Sequence, residues 1–199
     1  MTTSDAAEHL RVIRQLMERS TVYRAISAPT AMLGGLCALG LSWWQSTHAL
    51  NSASFHRSWL TLFAFLSAVN MFLLWRDARR RGAAFLSPGM KLAMGALAPP
   101  LLAGFVFGLN FIIDHSPSMC ALSWAVFYGL ALLATASFAP ASIARLGRAF
   151  VLAALILLAL SRLGAADWLD TSAITALTFG ALHILYAAAV IISSRLGRT

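Results

Sequence analysis

The stretch KLAMGALAPPLLAGFVFGLNFII, residues 91–113, decides the fold class of this chain. After Lys91 it contains no charged residue. A helix of about 20 predominantly apolar residues is long enough to cross the hydrocarbon core of a bilayer. The stretch therefore predicts a transmembrane helix.

Composition extends this prediction to the whole chain. Of its 199 residues, 59% are hydrophobic and only 11% are charged. A soluble domain has about 25% charged residues, so the charges here are too few to cover a globule in water. We predict an all-α membrane protein whose six-helix transmembrane domain covers residues 27–199. Its spans lie at 27–45, 58–75, 91–113, 120–138, 146–163 and 171–192, with Trp59 and Trp75 among the tryptophans of an interfacial belt.

The basic residues are distributed unevenly among the connections. Of the 15 Lys and Arg residues, all but Arg57 and Arg162 fall in the N-terminal segment, the second and fourth connections or the C-terminal tail. Because basic residues accumulate on the cytoplasmic side, both termini are predicted to be cytoplasmic. This asymmetry also accounts for the net charge of +8, so no nucleic-acid partner is expected.

A separate amphipathic helix is predicted before the first span, at residues 5–24 within an N-terminal segment 1–26. Asp5 and Glu8 have the spacing of a capping box. Apolar residues share one half of the helix, and the other half includes Arg11, Arg14, Glu18 and Arg19. Two interpretations stay open: an anchor lying on the membrane surface, or a docking surface for a cytosolic protein.

A polybasic run follows the second span. It consists of Arg76, Arg79, Arg80 and Arg81 beside Trp75. Such a run directly inside the membrane attracts anionic lipid headgroups. Determination of the topology alone would also explain it.

Few polar residues lie within the predicted spans, and these are the candidate functional residues because polar groups in a bilayer are costly. They are His183, Asn70 and Asn110. No Asp, Glu, Lys or Arg lies near the centre of any predicted span, which disfavours ion-coupled transport. His183 is expected to bond Tyr186 or Asn70, as a structural contact or as a ligand or proton site. No second histidine lies in a span to complete a haem site, and no cofactor is predicted.

The third span contains the pair Pro99-Pro100, with Gly95, Gly104 and Gly108 around it. Proline inside a helix predicts a kink, and glycine predicts close contact with a neighbouring helix. A broken helix that exposes carbonyl groups to a substrate is the alternative interpretation.

Two kinds of catalytic or metal site are disfavoured by the residues present. Rhomboid proteases also have six spans and a histidine in the last one, but their Gly-x-Ser is replaced here by Ala121-Leu122-Ser123, and Leu66 precedes Asn70 where a histidine is needed. No catalytic residue is therefore predicted. No metal is predicted either, because the remaining candidate ligands have no ligand spacing and are interpreted as solvated loop residues: His48, His56, Asp114, His115, Asp167 and Asp170.

Several short segments resemble a group of uncharacterised bacterial six-span proteins. They are Ile13–Thr21 (IRQLMERST), Pro99–Gly104 (PPLLAG), Tyr128-Gly129 and Phe179–Ile184 (FGALHI). The resemblance implies the same six-span architecture and a bacterial inner-membrane location. Such proteins are often encoded beside a small winged-helix regulator, which implies a regulatory or stress-related setting. The resemblance implies no activity and no site.

Three functions are compatible with these patterns. The leading hypothesis is a non-enzymatic membrane module that binds a cytosolic or membrane partner through its N-terminal helix. The second is a small transporter or channel for a neutral or lipophilic solute, with a cavity reaching His183 between the third and sixth spans. The third is a membrane enzyme acting on a lipid or isoprenoid, with His183 as acid or base. An oligomer is compatible with each of them.

Overall fold

A computed structural model of the protein describes residues 28–48, 51–80, 82, 84–86, 88–164 and 168–196. Within these residues the backbone is helical and contains no β-strand. The helix predicted at residues 5–24 lies outside them. Six long helices follow one another: α1 (Ala28–Thr47), α2 (Ser52–Arg80), α3 (Pro88–Ile113), α4 (Pro117–Ala134), α5 (Ala141–Arg162) and α6 (Thr171–Leu196).

Five of these helices, α2 to α6, are long and apolar enough to cross a membrane. Their length and composition are those of a multi-pass membrane protein. The remaining helix, α1, is 20 residues long and carries no charged side chain, but its last turn is polar (Gln45, Ser46 and Thr47). The prediction of an all-α bundle of apolar helices is confirmed to this extent.

The last helix, α6, changes its winding along its length. Asp170 caps its start, where the carboxylate accepts a hydrogen bond from the Ala173 backbone N–H at 2.7 Å. The segment Ala176–Leu182 is a π-helix, and the α-helix resumes at His183. A π-helix spaces its backbone bonds five residues apart rather than four, and such segments are frequent at functional sites.

Glycines bring the helices of the core close together. In α4 and α5, a Cβ added at Gly129 would lie 2.7 Å from the carbonyl oxygen of Gly147. In α1, a Cβ at Gly35 would lie 2.9 Å from the carbonyl oxygen of Gly180 in α6. Small residues at such positions are typical of helix contacts in membranes. The chain direction of α1 is opposite to that of α6, because Gly35 faces Gly180 and Ser42 bonds Thr175.

The third helix, α3, passes through Pro99 and Pro100 without interruption, so the broken-helix interpretation is wrong. Gly104 contacts α4, since an added Cβ would lie 2.7 Å from the Cβ of Phe127. A Cβ added at Gly108 would lie closer still to the Trp124 side chain of α4. Around a Cβ added at Gly95, no atom of a neighbouring described residue lies within 4 Å, so the prediction of a close contact is confirmed for two of the three glycines.

The second helix, α2, is buried mainly at its first turns. Phe55, His56 and Trp59 are buried there, whereas no residue from 60 to 77 is buried and only Ala78 is buried near the other end. Within this stretch Leu62 packs against the core, and a Cβ added at Gly34 of α1 would lie 3.6 Å from the Leu66 side chain. Apart from these contacts, the five turns or so that follow the first turns stand off from the other described helices.

The predicted connection between the fourth and fifth spans is misplaced. α4 ends at Ala134 and α5 begins at Ala141, after Pro140 in an extended conformation. Proline lacks the N–H that a helix interior needs, and it suits the start of a helix. Gly147, predicted at a span edge, is buried within α5 because it packs against Gly129.

Candidate functional site

Polar side chains gather at one end of the bundle, where α1 ends and α2, α4 and α6 begin. We call this the Gln45 end. Gln45 itself is 7% exposed. Its amide oxygen accepts a hydrogen bond from the Trp59 indole N–H at 2.9 Å, and its amide nitrogen donates to the Ser58 hydroxyl at 2.7 Å. Since an indole nitrogen only donates, Trp59 determines the orientation of the amide and joins α1 to α2.

Two hydroxyl pairs connect α6 to its neighbours at the same end. Ser42 of α1 bonds Thr175 at 2.8 Å, and Ser118 of α4 bonds Thr171 at 2.7 Å. The Thr175 hydroxyl lies 3.1 Å from the Thr171 backbone carbonyl, to which it donates. The Ser42 hydroxyl is therefore the donor in its pair with Thr175.

A histidine and a cysteine connect α2 to α4. The Nδ1 atom of His56 bonds the backbone carbonyl of Ser52, and the Nε2 atom lies 3.0 Å from the Sγ atom of Cys120. A carbonyl oxygen can only accept, so Nδ1 carries the proton in the neutral ring. Nε2 then accepts the hydrogen bond from the Cys120 thiol.

These contacts form a closed circuit of four helices, α1 to α2 to α4 to α6 and back to α1. We call the set the polar ring, and its side chains are Ser42, Gln45, His56, Ser58, Trp59, Ser118, Cys120, Thr171 and Thr175. Interhelical hydrogen bonds in membrane proteins contribute about 0.6 kcal/mol on average. The ring therefore joins these four helices at the Gln45 end, with a modest contribution from each bond.

The His56–Cys120 pair has the hydrogen-bond arrangement of a nucleophile and its base, with a carbonyl orienting the imidazole. Its surroundings do not suit that chemistry. His56 is 2% exposed and Cys120 is 0% exposed. The Trp124 ring stands edge-on to the His56 ring at 5.6 Å, and the Phe55 ring does the same at 5.4 Å. A reactant has no access to the thiol in this packing, so the pair serves as a helix contact.

A second polar pair lies deeper in the bundle. The Tyr128 hydroxyl of α4 lies 2.9 Å from the Nε2 atom of His183, and the Nδ1 atom of His183 lies 2.8 Å from the Phe179 carbonyl oxygen. By the same reasoning as for His56, Nδ1 donates to the carbonyl and Tyr128 donates to Nε2. Both ring nitrogens of His183 are thus engaged.

The imidazole of His183 bonds its own helix one turn back. In a regular α-helix the carbonyl of Phe179 would accept from the backbone N–H of residue 183. Here that N–H bonds the carbonyl of Gly180, and the Phe179 carbonyl accepts from the His183 imidazole. His56 bonds Ser52 in the same way within a regular α-helix, and in both residues this bond leaves Nε2 to face a neighbouring helix.

Aromatic rings surround the His183–Tyr128 pair. Phe150 of α5 lies 5.3 Å from the His183 ring and 4.8 Å from the Tyr128 ring, both edge-on. Phe179 contacts Tyr128 at 5.8 Å and, on its other side, Trp59 at 5.7 Å. This aromatic cluster links the deep pair to the polar ring.

The structure brings together few of the predicted site residues. His183 bonds Tyr128, so the prediction of Asn70 or Tyr186 as its partner is wrong; Asn70 lies on the part of α2 that stands off. Tyr186 is buried. Asn110 is exposed and donates to the Val106 carbonyl of its own helix at 3.0 Å, which satisfies it locally.

The predicted basic residues are only partly described. Arg76, Arg79 and Arg80 are exposed at the end of α2, and the Arg79 guanidinium lies 4.8 Å from the centre of the Trp75 ring. Arg81, Arg11, Arg14, Glu18 and Arg19 lie outside the described residues.

Two residues predicted near the membrane surface are buried instead. Trp59 is 6% exposed and belongs to the polar ring rather than to an interfacial belt. His56 is not a solvated loop residue, because α2 begins at Ser52 and turns the imidazole towards Cys120. In the part of the chain that the structure describes, no three His, Cys, Asp or Glu side chains come together as a metal site.

The sequence predicts a cavity bounded by the third and sixth spans, but these two helices do not lie side by side. α3 packs along α4 and barely contacts α6. His183 points towards α4 and α5, where Tyr128 and Phe150 lie. A site at His183 would therefore be bounded by α4, α5 and α6.

Sequence reasoning missed the polar ring. One signal was present: Gln45, Ser58, Ser118, Thr171 and other ring members all lie within about two turns of the predicted span ends on the same side of the membrane. That pattern indicates that these residues lie at the same depth in the membrane, but it does not indicate which of them bond one another.

Comparison of the chain with protein-family models, curated proteins and solved structures finds no match.

Proposed function

We propose that this protein is a six-span, non-enzymatic membrane module that binds a partner protein through its N-terminal segment. The proposal is supported by one observation: the polar side chains in the bundle are engaged in hydrogen bonds. Both histidines within it have both ring nitrogens in hydrogen bonds that position helices. Among the described residues, no buried side-chain nitrogen or oxygen lacks a hydrogen-bond partner.

This arrangement favours scaffolding over chemistry. A general base needs a ring nitrogen that can reach the substrate proton. An ion or solute site needs polar groups left for the ligand. In this bundle the polar side chains of the core bond one another across helices, which is typical of structural contacts between membrane helices.

The proposal counts six spans because it adds α1 to the five helices that are long and apolar enough to cross a membrane. α1 lies beside α6, with Ser42 bonded to Thr175 and a Cβ at Gly35 within 2.7 Å of the Ile184 Cγ1 atom. α6 is long enough to cross a membrane, so α1 occupies the same range of depths. Its 20 residues correspond to about 30 Å of helix, which matches the hydrocarbon core.

The orientation follows from the charges. Arg76, Arg79 and Arg80 lie at the end of α2 opposite the Gln45 end. By the positive-inside rule that end faces the cytoplasm, as do both termini. The N-terminal segment would then lie at the cytoplasmic surface of a bacterial inner membrane, where a cytosolic partner can reach it. The neighbouring arginines would bind anionic headgroups.

Affinity capture from membranes tests the partner hypothesis. We expect the full chain to retain a defined cytosolic protein that a variant without residues 1–24 loses. Exchange of Arg11, Arg14 and Arg19 for Gln should also lose it, because these residues form the polar half of the predicted helix. The matched control replaces Leu10 and Leu16 of the apolar half with Ala.

The two sets of substitutions distinguish docking from anchoring. If only the leucine variant loses the partner, the helix acts as a membrane anchor. If the truncated chain captures the same proteins as the full chain, the proposal is wrong.

A second candidate, a transporter or channel for a lipophilic solute, is favoured by the stand-off of α2, which leaves a helix free to move beside the core. It predicts solute flux in vesicles containing the protein alone. A membrane enzyme using His183 as acid or base is the third candidate, and an unchanged cellular lipid profile in H183A would contradict it.

A further inference from the structure

The two parts of α2 differ in how they contact the bundle, and the difference leaves one amide without a partner among the described residues. Trp59 is buried against Phe179 of α6. Asn70 follows Trp59 by eleven residues, which is about three complete helical turns. Asn70 therefore lies on the side of α2 that faces the bundle.

Asn70 has no hydrogen-bond partner within the described residues. It is half-buried, as are Leu66, Val69 and Leu73 on the same side of the helix. We call these four residues the stand-off face. None of the three aliphatic side chains belongs to the packed core, although Leu66 lies close to Gly34 of α1.

The chemistry of the stand-off face restricts what covers it. Three of its four side chains are aliphatic, so the occupant must be largely apolar. A side-chain amide within the membrane has two hydrogen-bond donors and one acceptor, and hydrocarbon offers no hydrogen-bond partner to any of them. The occupant must therefore combine alkyl chains with a hydrogen-bonding group.

The depth of Asn70 indicates which group this is. Asn70 precedes Arg76 by six residues, or about 9 Å along the helix. Arg76 and Arg80 are exposed at the end of α2. In a phospholipid the ester carbonyls lie deeper in the leaflet than the phosphate, just as Asn70 lies deeper than Arg76 in the proposed placement. A lipid whose phosphate reaches these arginines would place an ester carbonyl near the Asn70 amide.

We infer that the stand-off face binds one anionic diacyl phospholipid of the leaflet at the Arg76 end. The phosphate pairs with Arg76 and Arg80, an ester carbonyl accepts from the Asn70 amide, and an acyl chain lies along Leu66 and Leu73. The inference rests on the membrane placement proposed above. It does not depend on the partner of the N-terminal segment.

The test is native mass spectrometry of the full chain in detergent with added phosphatidylglycerol or phosphatidylcholine. We expect one phosphatidylglycerol to be retained preferentially. Asn70→Leu should weaken its binding by about threefold, the average effect of one hydrogen bond in a membrane. Asn110→Leu is the matched control, because Asn110 is bonded within its own helix, and it should leave binding unchanged.

The melting temperature provides a second measurement. Lipid-free N70L should melt at the wild-type temperature or above it, because the substitution removes an unpaired amide. The increase in melting temperature on adding phosphatidylglycerol should be smaller than for the wild type. If lipid-free N70L melts lower than the wild type, the amide has a structural partner and the inference is wrong.

Two further outcomes would overturn the inference. Wild-type lipid binding by N70L, together with loss in R76Q/R80Q, would show that a headgroup binds at the surface alone. Equal retention of phosphatidylcholine would show that the arginines do not select an anionic lipid. Deletion of residues 1–24 should leave lipid retention unchanged, so failure of the partner hypothesis is measured separately.

Discussion

The Gln45 end of the bundle and the Leu60–Asp77 stretch of α2 contain similar residue types in different roles. At the Gln45 end, Gln45 has partners on another helix and is buried. In the α2 stretch, Asn70 has the same amide group but no partner among the described residues, and no residue is buried. An amide in an apolar helix is therefore structural or available for binding according to what lies opposite it.

The same comparison predicts where the molecule is rigid. Four helices are bonded to one another at the Gln45 end. Towards the opposite end, α2 has few contacts with the other described helices, and regions with few buried contacts are those that open most easily. Lipid or protein ligands are expected to act on the opposite half of α2 rather than on the ring.

The largest effect is expected where backbones touch. Gly129→Ala should lower the free energy of unfolding by about 3 kcal/mol, the upper range for overpacking, because the new Cβ would lie 2.7 Å from the Gly147 carbonyl oxygen. Gly95→Ala is the control, since no neighbouring atom among the described residues lies within 4 Å of an added Cβ, and it should be neutral or slightly stabilising because alanine favours a helix over glycine. Thermal and denaturant unfolding in micelles measures both; equal effects would contradict the packing of α4 on α5.

Gln45→Leu tests whether the amide of Gln45 is structural while that of Asn70 is not. It removes both bonds of Gln45 and leaves the buried Trp59 indole N–H unpaired, at a cost of about 2 kcal/mol. Asn70→Leu should cost nothing measurable in the absence of lipid. The same unfolding assay compares the two, and a larger loss in the Asn70 variant would reverse the roles assigned to the two regions.

The His56–Cys120 contact can be probed by thiol labelling. Cys120 is 0% exposed, so a maleimide should label the half-buried Cys37 first and Cys120 only after local opening. His56→Ala should destabilise the contact by about 1 kcal/mol and so accelerate labelling of Cys120 about fivefold. Ser123→Ala, in the same helix, is the control. Rapid labelling of Cys120 in the wild type would show that the pair is accessible and reopen a catalytic role.

The smallest effect is expected at the deep pair. Tyr128→Phe removes the donor to His183 while keeping the ring contacts with Phe150 and Phe179. The loss should be about 0.6 kcal/mol, the average for a hydrogen bond between membrane helices. Tyr128→Leu, which also removes the ring contacts, should cost more. A Phe variant as damaging as the Leu variant would mean that the hydroxyl has a larger role than packing.

The fold was more predictable than the contacts. The apolar stretches at 91–113 and 171–192 correspond closely to α3 and α6. The fourth and fifth predicted spans were displaced, because the prediction extended an apolar run past Thr135 and began the next span after Pro140. The stop at Thr135 depends on a hydroxyl bonded to the Leu132 carbonyl at 2.7 Å and on the proline that follows, which hydropathy does not detect.

The site residues show why contacts are harder to predict. His183 stands out in the sequence as a polar residue within a span, but its partner Tyr128 does not, because it comes from a different helix 55 residues away. Gln45 and Cys120 were overlooked as partners, since each is unremarkable beside its own neighbours in the chain. Their roles depend on helices that come from distant parts of the sequence.

By itself, the sequence determined that the protein is helical and that most of its length consists of membrane-compatible segments. Lipid imposes this, because every backbone polar group must be satisfied within its own segment, and the length and composition of each segment are local properties. The tertiary structure alone decided that Gln45, His56 and His183 bond Trp59, Cys120 and Tyr128, and that Asn70 has no partner among the described residues. Such pairings depend on the rotation and tilt of whole helices, which involve contacts between distant parts of the chain, the glycine contacts among them.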